Sequence, residues 1–141
     1  MTMLTEMNIT DARKDISSWY NTVYNSSKPM IIKRNQREEV LVLRTDLQKM
    51  LLANYSLKPE ILPEDDGSTT LALDQLEIYV NGETTEDAIN EFIEELKIYA
   101  NDFIERSQLF LNAPNRRSHF PYILRVLLCD TNEEIRSLLE I

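Results

Sequence analysis

A helical stripe in the second half of the chain constrains the fold more than any other feature. Ile89, Phe92, Ile93, Leu96, Tyr99, Ala100, Phe103 and Ile104 recur at steps of three and four, the spacing of one face of an α-helix. Thr84 with Asp87, or Thr85 with Glu86, supplies a start signal, and Asn112-Ala113-Pro114-Asn115 supplies the stop. Unbroken from Thr85 to Leu111, such a helix would run roughly 40 Å at about 1.5 Å per residue. Upstream, Leu71, Leu73, Leu76, Ile78 and Val80 read as a strand over residues 73–80, stopped by Asn81-Gly82. Downstream, residues 118–128 and 131–139 read as two shorter helices, the last opened by a Thr131…Glu134 capping box. Only 2 of the 141 residues are glycine and 43 % are hydrophobic, which suits a helix-rich chain with a sizeable core.

The first third has a different rhythm. Thr10 is a good N-cap, and Ala12, Ile16, Trp19, Tyr20 and Val23 form an apolar helical stripe. Asn25-Ser26-Ser27 ends that helix and Pro29 keeps it from resuming. Met30-Ile31-Ile32 and Val40-Leu41-Val42-Leu43 read as a hairpin whose polar tip runs from Lys33 to Glu38, with Asn35 best suited to a positive φ. Thr45 can cap a second helix from Asp46 to about Asn54, with Leu47, Met50 and Leu51 facing inward. Leu4 and its neighbours add a possible edge strand. Residues 58–70, with Pro59, Pro63, Glu64-Asp65-Asp66 and Gly67, read as a linker. The expected organisation is α+β: a helix and small antiparallel sheet over 1–57, a linker over 58–70, and a mostly helical region over 71–141.

Net charge is −9, which alone speaks against nucleic-acid binding. Its distribution says otherwise. Residues 1–50 hold 8 Lys/Arg against 6 Asp/Glu, a net of +2, and residues 51–141 hold 7 against 18, a net of −11. A mildly basic head on an acidic body suits a protein with two kinds of partner. No apolar run reaches membrane-spanning length, and Met1 to Thr10 lacks a basic segment followed by an apolar one. A cytoplasmic chain without membrane attachment is therefore expected.

Enzyme chemistry finds little support. His119 is the one histidine, too few for a histidine-based triad or a multi-histidine metal site, and it reads as a hydrogen-bonding residue at a helix start. Cys129 is the one cysteine and reads as a buried small side chain. No phosphate-cradling glycine loop, GxSxG or HExxH occurs. No catalytic residue, cofactor or metal is expected.

The basic residues of the head are more informative. Arg13 and Lys14 lie in the expected first turn of a helix, and Lys33, Arg34 and Arg37 cluster on the hairpin tip. A forked arginine at a helix end can read guanine while tip cations grip phosphates. Spacing alone leaves DNA contact and ordinary solvated surface equally open. Yet Ile9-Thr10-Asp11-Ala12-Arg13-Lys14-Asp15-Ile16, then Val23, Pro29-Met30-Ile31-Ile32-Lys33-Arg34 and Val40-Leu41-Val42-Leu43 resemble the Phd/YefM antitoxin pattern. That pattern is a Thr/Ser-x-Ala-Arg helix start, a Pro-led strand and an apolar second strand. Gln36 stands where that family often has Gly, and Arg44 where it usually has Ser.

The resemblance implies a homodimer sharing a small sheet, bound to a palindromic operator and repressing its own operon. Thr10, Arg13 and Lys14 would be the helix contacts, with Lys33, Arg34 and Arg37 on the DNA backbone. The second half looks like the Phd-like group assigned to RelE/RelB-type systems. RelE-type toxins are basic ribonucleases, and an acidic body would steer toward one. Tyr99, Phe103 and Phe110 of the long helix read first as core, which leaves the outward Glu94, Glu95, Asp102 and Glu105 as the candidate toxin contacts. The alternative is a DNA-binding transcriptional regulator without a toxin, its acidic half binding another protein or a ligand.

Overall fold

The computed structural model describes residues 3–141; Met1 and Thr2, which open the stretch read as leaderless, lie outside the described residues. The chain divides into two compact units, the first ending at Leu51 and the second spanning Leu52–Ile141.

The first unit holds β1 (Thr5–Asn8), α1 (Ile9–Lys14), α2 (Ile16–Asn25), β2 (Met30–Lys33), β3 (Glu39–Val42) and most of α3 (Thr45–Leu52). Its sheet has the order β1-β2-β3, with β1 parallel to β2 and β3 antiparallel to it. The sheet is thus mixed rather than antiparallel. The β2–β3 hairpin is as expected, but β1 reaches β2 through two helices, and a crossover of that kind delivers a parallel neighbour.

The expected first helix is two. Asn8, not Thr10, is the cap, its side chain accepting the Thr10 N–H at 2.8 Å. The helix then breaks at Asp15 (φ −139, ψ 53). An unbroken helix would give the Ala12 carbonyl to the Ile16 N–H. That carbonyl instead accepts from the Asp15 N–H at 3.4 Å and from the Trp19 indole at 2.9 Å. At the hairpin tip Asn35 does not take a positive φ. Its side-chain oxygen accepts the N–H groups of Arg37 and Glu38 at 2.8 and 2.9 Å, an Asx arrangement that turns the chain without a left-handed residue. On α3, Met50 and Leu51 are exposed rather than inward.

Within the second unit, a strand and turn occupy residues that read as a linker in the sequence. Residues 60–63 form β4 (Glu60–Pro63), which pairs antiparallel with β5 (Thr69–Leu73). The link between them is tight: Gly67, at φ +90, donates its N–H to the Glu64 carbonyl, and the Glu64 N–H bonds the Ser68 carbonyl at 2.9 Å. The Pro, acidic and Gly residues that resemble a linker are those of an edge strand and its turn. The single strand expected over residues 73–80 is also two. A 3₁₀ turn at Asp74–Leu76, closed by Glu77 at φ 56, separates β5 from β6 (Ile78–Gly82). The three strands form an antiparallel meander.

The long helix follows as α4 (Thr85–Glu105), with the Thr84 hydroxyl accepting the Asp87 N–H at 3.1 Å. Its apolar face, Ala88, Ile89, Phe92, Ile93, Leu96, Ala100 and Phe103, is buried and packs on β5 and β6. Gly82 permits the close start of this packing, because a Cβ there would collide with the backbone of Ala88 and Asp87. The helix stops short of Leu111. It breaks at Arg106 (φ −118, ψ 39) before α5 (Ser107–Asn112), and the break returns Phe110 to within 5.0 Å of Phe103, centroid to centroid. After a 3₁₀ turn at Arg117–His119 come α6 (Phe120–Leu127) and α7 (Asn132–Leu138), both packed on α4. The Thr131 hydroxyl caps α7 through the Glu134 N–H at 3.2 Å.

Phe103 has no exposed surface and touches the rings of Tyr99, Phe110 and Phe120. Phe103→Ala is expected to cost about 3–5 kcal/mol of stability, read from urea unfolding of the full chain. Gly82→Ala should also destabilise it, whereas Gly67→Ser, in open space, carries only the strain of its positive φ.

Candidate functional site

Most basic residues of the first unit are exposed, but they are not equivalent. Arg13 and Lys14 occupy the last turn of α1, not the first turn of a long helix, because the break at Asp15 makes α1 six residues long. Thr10 is exposed in its first turn. On the hairpin, Lys33 is half-buried and bridges Glu6 at 3.0 Å and Glu39 at 3.7 Å. The Glu6 hydrogen bond, then the two carboxylate charges, hold its ammonium above the usual lysine range. Arg34 lies 3.5 Å from Glu38, and Arg37 has no ion pair among the described residues. The hairpin therefore offers Arg37 fully, Arg34 in part, and Lys33 chiefly as a strut of the sheet.

Sequence reasoning passed over Arg44 except as a departure from a family pattern. Its guanidinium makes a two-pronged contact to Asp46 at 2.5 and 2.9 Å, and donates to the Tyr24 carbonyl at 2.9 Å and the Ser27 hydroxyl at 2.8 Å. It also lies over the Tyr24 ring. One side chain thus ties the end of α2 to the start of α3, and Ser27 meets it at φ 56. The arginine beside it holds the Asp46 carboxyl below the usual range. Tyr20, Val23, Val42 and Leu43 line the adjoining groove.

The first unit is also short of core. Its buried hydrophobic residues are Ala12, Val23, Met30 and Ile31, while Ile9, Ile16, Tyr20, Tyr24, Val40, Leu41, Met50 and Leu51 are exposed.

In the second unit the outward side of α4 is acidic. Glu94 pairs with Lys97 at 3.4 Å and Asp102 with Arg106 at 2.6 Å. Glu95 is half-buried and Glu105 exposed, neither in an ion pair among the described residues. Glu86, in the first turn, is clasped by Arg136 of α7 at 2.6 and 3.0 Å, a hydrogen-bonded contact that lowers its carboxyl below the usual range. Tyr99 and Phe103 sit on the core side, as the stripe implied. Cys129 is half-buried, its thiol directed at the Arg125 carbonyl.

His119 lies inside a polar knot. It is buried, and its Nδ1 stands 2.6 Å from the Tyr99 hydroxyl, which accepts from Arg116 at 3.0 Å. The hydroxyl thus joins the Arg116 guanidinium and the His119 ring in one hydrogen-bonded chain. Burial, and then the Arg116 charge, push its pKa below the ordinary value of 6.5. This is a structural joint between α4 and the chain entering α6. Among the described residues, no three His, Cys, Asp or Glu side chains gather to hold a metal ion, and no helix is long and apolar enough to cross a membrane.

A small basic α+β unit joined to an acidic sheet-and-helix unit has a solved counterpart. The chain is similar to the crystal structure of an antitoxin part assigned to a toxin/antitoxin system of Syntrophomonas wolfei subsp. wolfei, with a TM-score of 0.84 and 34 % identity over 96 % of each chain. The class is that of antitoxins, not of enzymes. The family described as PHD_like, antitoxin of toxin-antitoxin, RelE / RelB, TA system, matches residues 3–141, and the chain belongs to it: an antitoxin of a RelE/RelB-associated type II system. No curated protein matches the sequence.

The depressed His119 pKa gives a pH prediction with a definite sign. The unfolded chain protonates first as pH falls, so this contribution to stability is full above the ordinary value and is lost on acidification through it. The thermal midpoint should therefore fall between about pH 7 and about pH 5.5, before most carboxylates titrate. His119→Gln should flatten that slope. An unchanged slope would remove His119 as its cause.

Proposed function

We propose that this antitoxin neutralises a basic, RelE-like ribonuclease toxin by direct binding through its acidic second unit. Its first unit, as a homodimer in the cytoplasm, binds a palindromic operator and represses its own operon. The carrying observation is that the charge division falls on the structural one. The unit ending at Leu51 holds 8 Lys/Arg against 6 Asp/Glu, and Leu52–Ile141 holds 7 against 18. Opposite surplus charges on separately packed units suit two partners of opposite charge.

For the first unit, Arg13 and Lys14 are exposed side by side at the end of α1, with Thr10 one turn earlier. They are the proposed groove contacts. Arg34 and Arg37 are the proposed phosphate contacts, with Lys33 secondary because Glu6 and Glu39 already hold it. The exposed apolar residues of this unit support a second copy as their cover, since a unit of this size buries little alone. For the second unit, the outer face of α4 carries the proposed toxin contacts. Glu95 and Glu105 are better placed than Glu94 and Asp102, which Lys97 and Arg106 already neutralise.

A mobility-shift assay on the promoter DNA upstream of its own gene, against scrambled competitor, tests the operator reading. Specific binding is expected, and Arg13→Ala should lose affinity and sequence discrimination together. Replacing Arg34 and Arg37 together with Ala should weaken binding to all DNA and reduce the salt slope by about 2. Unchanged affinity in both variants would overturn the site assignment.

A further inference from the structure

The sheet of the second unit has two edges, and they are built differently. The Glu64 N–H bonds the Ser68 carbonyl, and Glu64 and Ser68 continue the β4–β5 register. Hydrogen-bonded and non-bonded pairs alternate along an antiparallel ladder, so Leu62 bonds Thr70, and the outward positions of β4 are Ile61 and Pro63. Proline has no N–H, which leaves Ile61 as the one outward donor within β4 and blunts this edge against pairing. The same alternation carried through β5 makes Leu71–Val80 and Leu73–Ile78 the bonded pairs with β6. Tyr79 and Asn81 then direct both N–H and C=O away from the sheet. Among the described residues, no strand pairs with this edge and no proline interrupts it.

The open edge of β6 faces an acidic row. An open groove of about 540 Å³ is lined along β6 by Tyr79 and Asn81, at its turn by Glu83, and along α4 by Asp87, Glu91 and Glu95. Residues four apart on a helix are about 6 Å apart along its axis. Residues two apart on a strand, which share a face, are separated by about 6.7 Å. The row Asp87–Glu91–Glu95 therefore matches the spacing of alternate side chains on an extended segment laid along β6. The strand is also held ready for pairing. The Asn81 side chain donates to the Ser68 and Thr70 hydroxyls at 3.0 Å each. The Tyr79 hydroxyl donates to Asp74 at 3.0 Å, which holds an otherwise exposed ring in place.

We propose that the edge of β6 accepts an extended segment of the toxin as a fourth strand, with Lys or Arg at alternate positions facing Asp87, Glu91 and Glu95. This rests on the toxin-binding reading above and assigns the mode of binding, strand addition. Main-chain bonds to Tyr79 and Asn81 supply affinity, and the carboxylate row selects a basic occupant over a neutral one.

Residue-resolved amide exchange on the labelled full chain, alone and with the toxin encoded by the adjoining gene, tests this. In the chain alone, Ile78 and Val80 amides should be protected and those of Tyr79 and Asn81 should exchange freely. In the complex, Tyr79 and Asn81 should slow by about 100-fold or more. A complex that leaves these two amides exchanging as before overturns the proposal. So does protection of both in the chain alone at high concentration, which would mark the edge as a contact between two copies. Glu91→Lys with Glu95→Lys should weaken toxin binding by about tenfold or more; equal affinity overturns the choice of a basic occupant. Failure of the unsubstituted chain to bind the toxin at all overturns the toxin-binding reading itself, and this occupant with it.

Discussion

The seating of α4 on the inner face of β5 and β6 is the contact on which the second unit depends. Five large side chains of that helix, Ile89, Phe92, Ile93, Leu96 and Phe103, are buried together with Leu71, Leu73 and Val80 of the sheet. Each such burial contributes about 1.5–3 kcal/mol, a gross gain that offsets the conformational entropy lost in ordering the unit. α6 and α7 then close over the other flank of α4 through Ile123, Val126, Ile135 and Leu139. Because one side of α4 is committed to this core, the other is left to carry charge. The same packing brings Asp87, Glu91 and Glu95 alongside the outer edge of β6.

The first unit is governed by the opposite condition. Its sheet and three short helices bury few side chains, and polar clasps tie them together: the Trp19 indole on Ala12, Arg44 on Tyr24, Ser27 and Asp46, and Asn35 on the hairpin tip. Such clasps fix geometry but contribute only about 0.5–1.5 kcal/mol each. Its exposed Tyr20, Tyr24, Val40 and Leu41 are the kind of surface that a second copy covers. In the proposed account, dimerisation completes the unit and places two copies of Arg13 and Lys14 on one operator.

What was legible in the sequence follows from which interactions are local. The periodic burial of α4, the caps at Thr84 and Thr131, and the Met30 and Val40 strands depend on near neighbours and could be read directly. Breaks in helices could not, because they are made at a distance. The α1–α2 break lies at a carbonyl captured by an indole seven residues on, and the α4–α5 break returns Phe110 to Phe103. The β4–β5 hairpin looked like a linker because Pro63 and Gly67 mark a sheet edge and its turn as readily as an unstructured segment. Of the candidate site residues, Arg13, Lys14, Arg34 and Arg37 were found by charge and are exposed. Lys33 was found by charge too, but its ties to Glu6 and Glu39 depend on strand pairing that charge does not reveal. The open edge of β6 left no composition signal, since it is a property of topology.

In the proposed account the first unit is incomplete in a single copy. Sedimentation equilibrium of the full chain at micromolar concentration and physiological salt tests it most directly. A 16.5 kDa chain should sediment as a dimer, at about twice that mass. A monomer across that range would contradict the account.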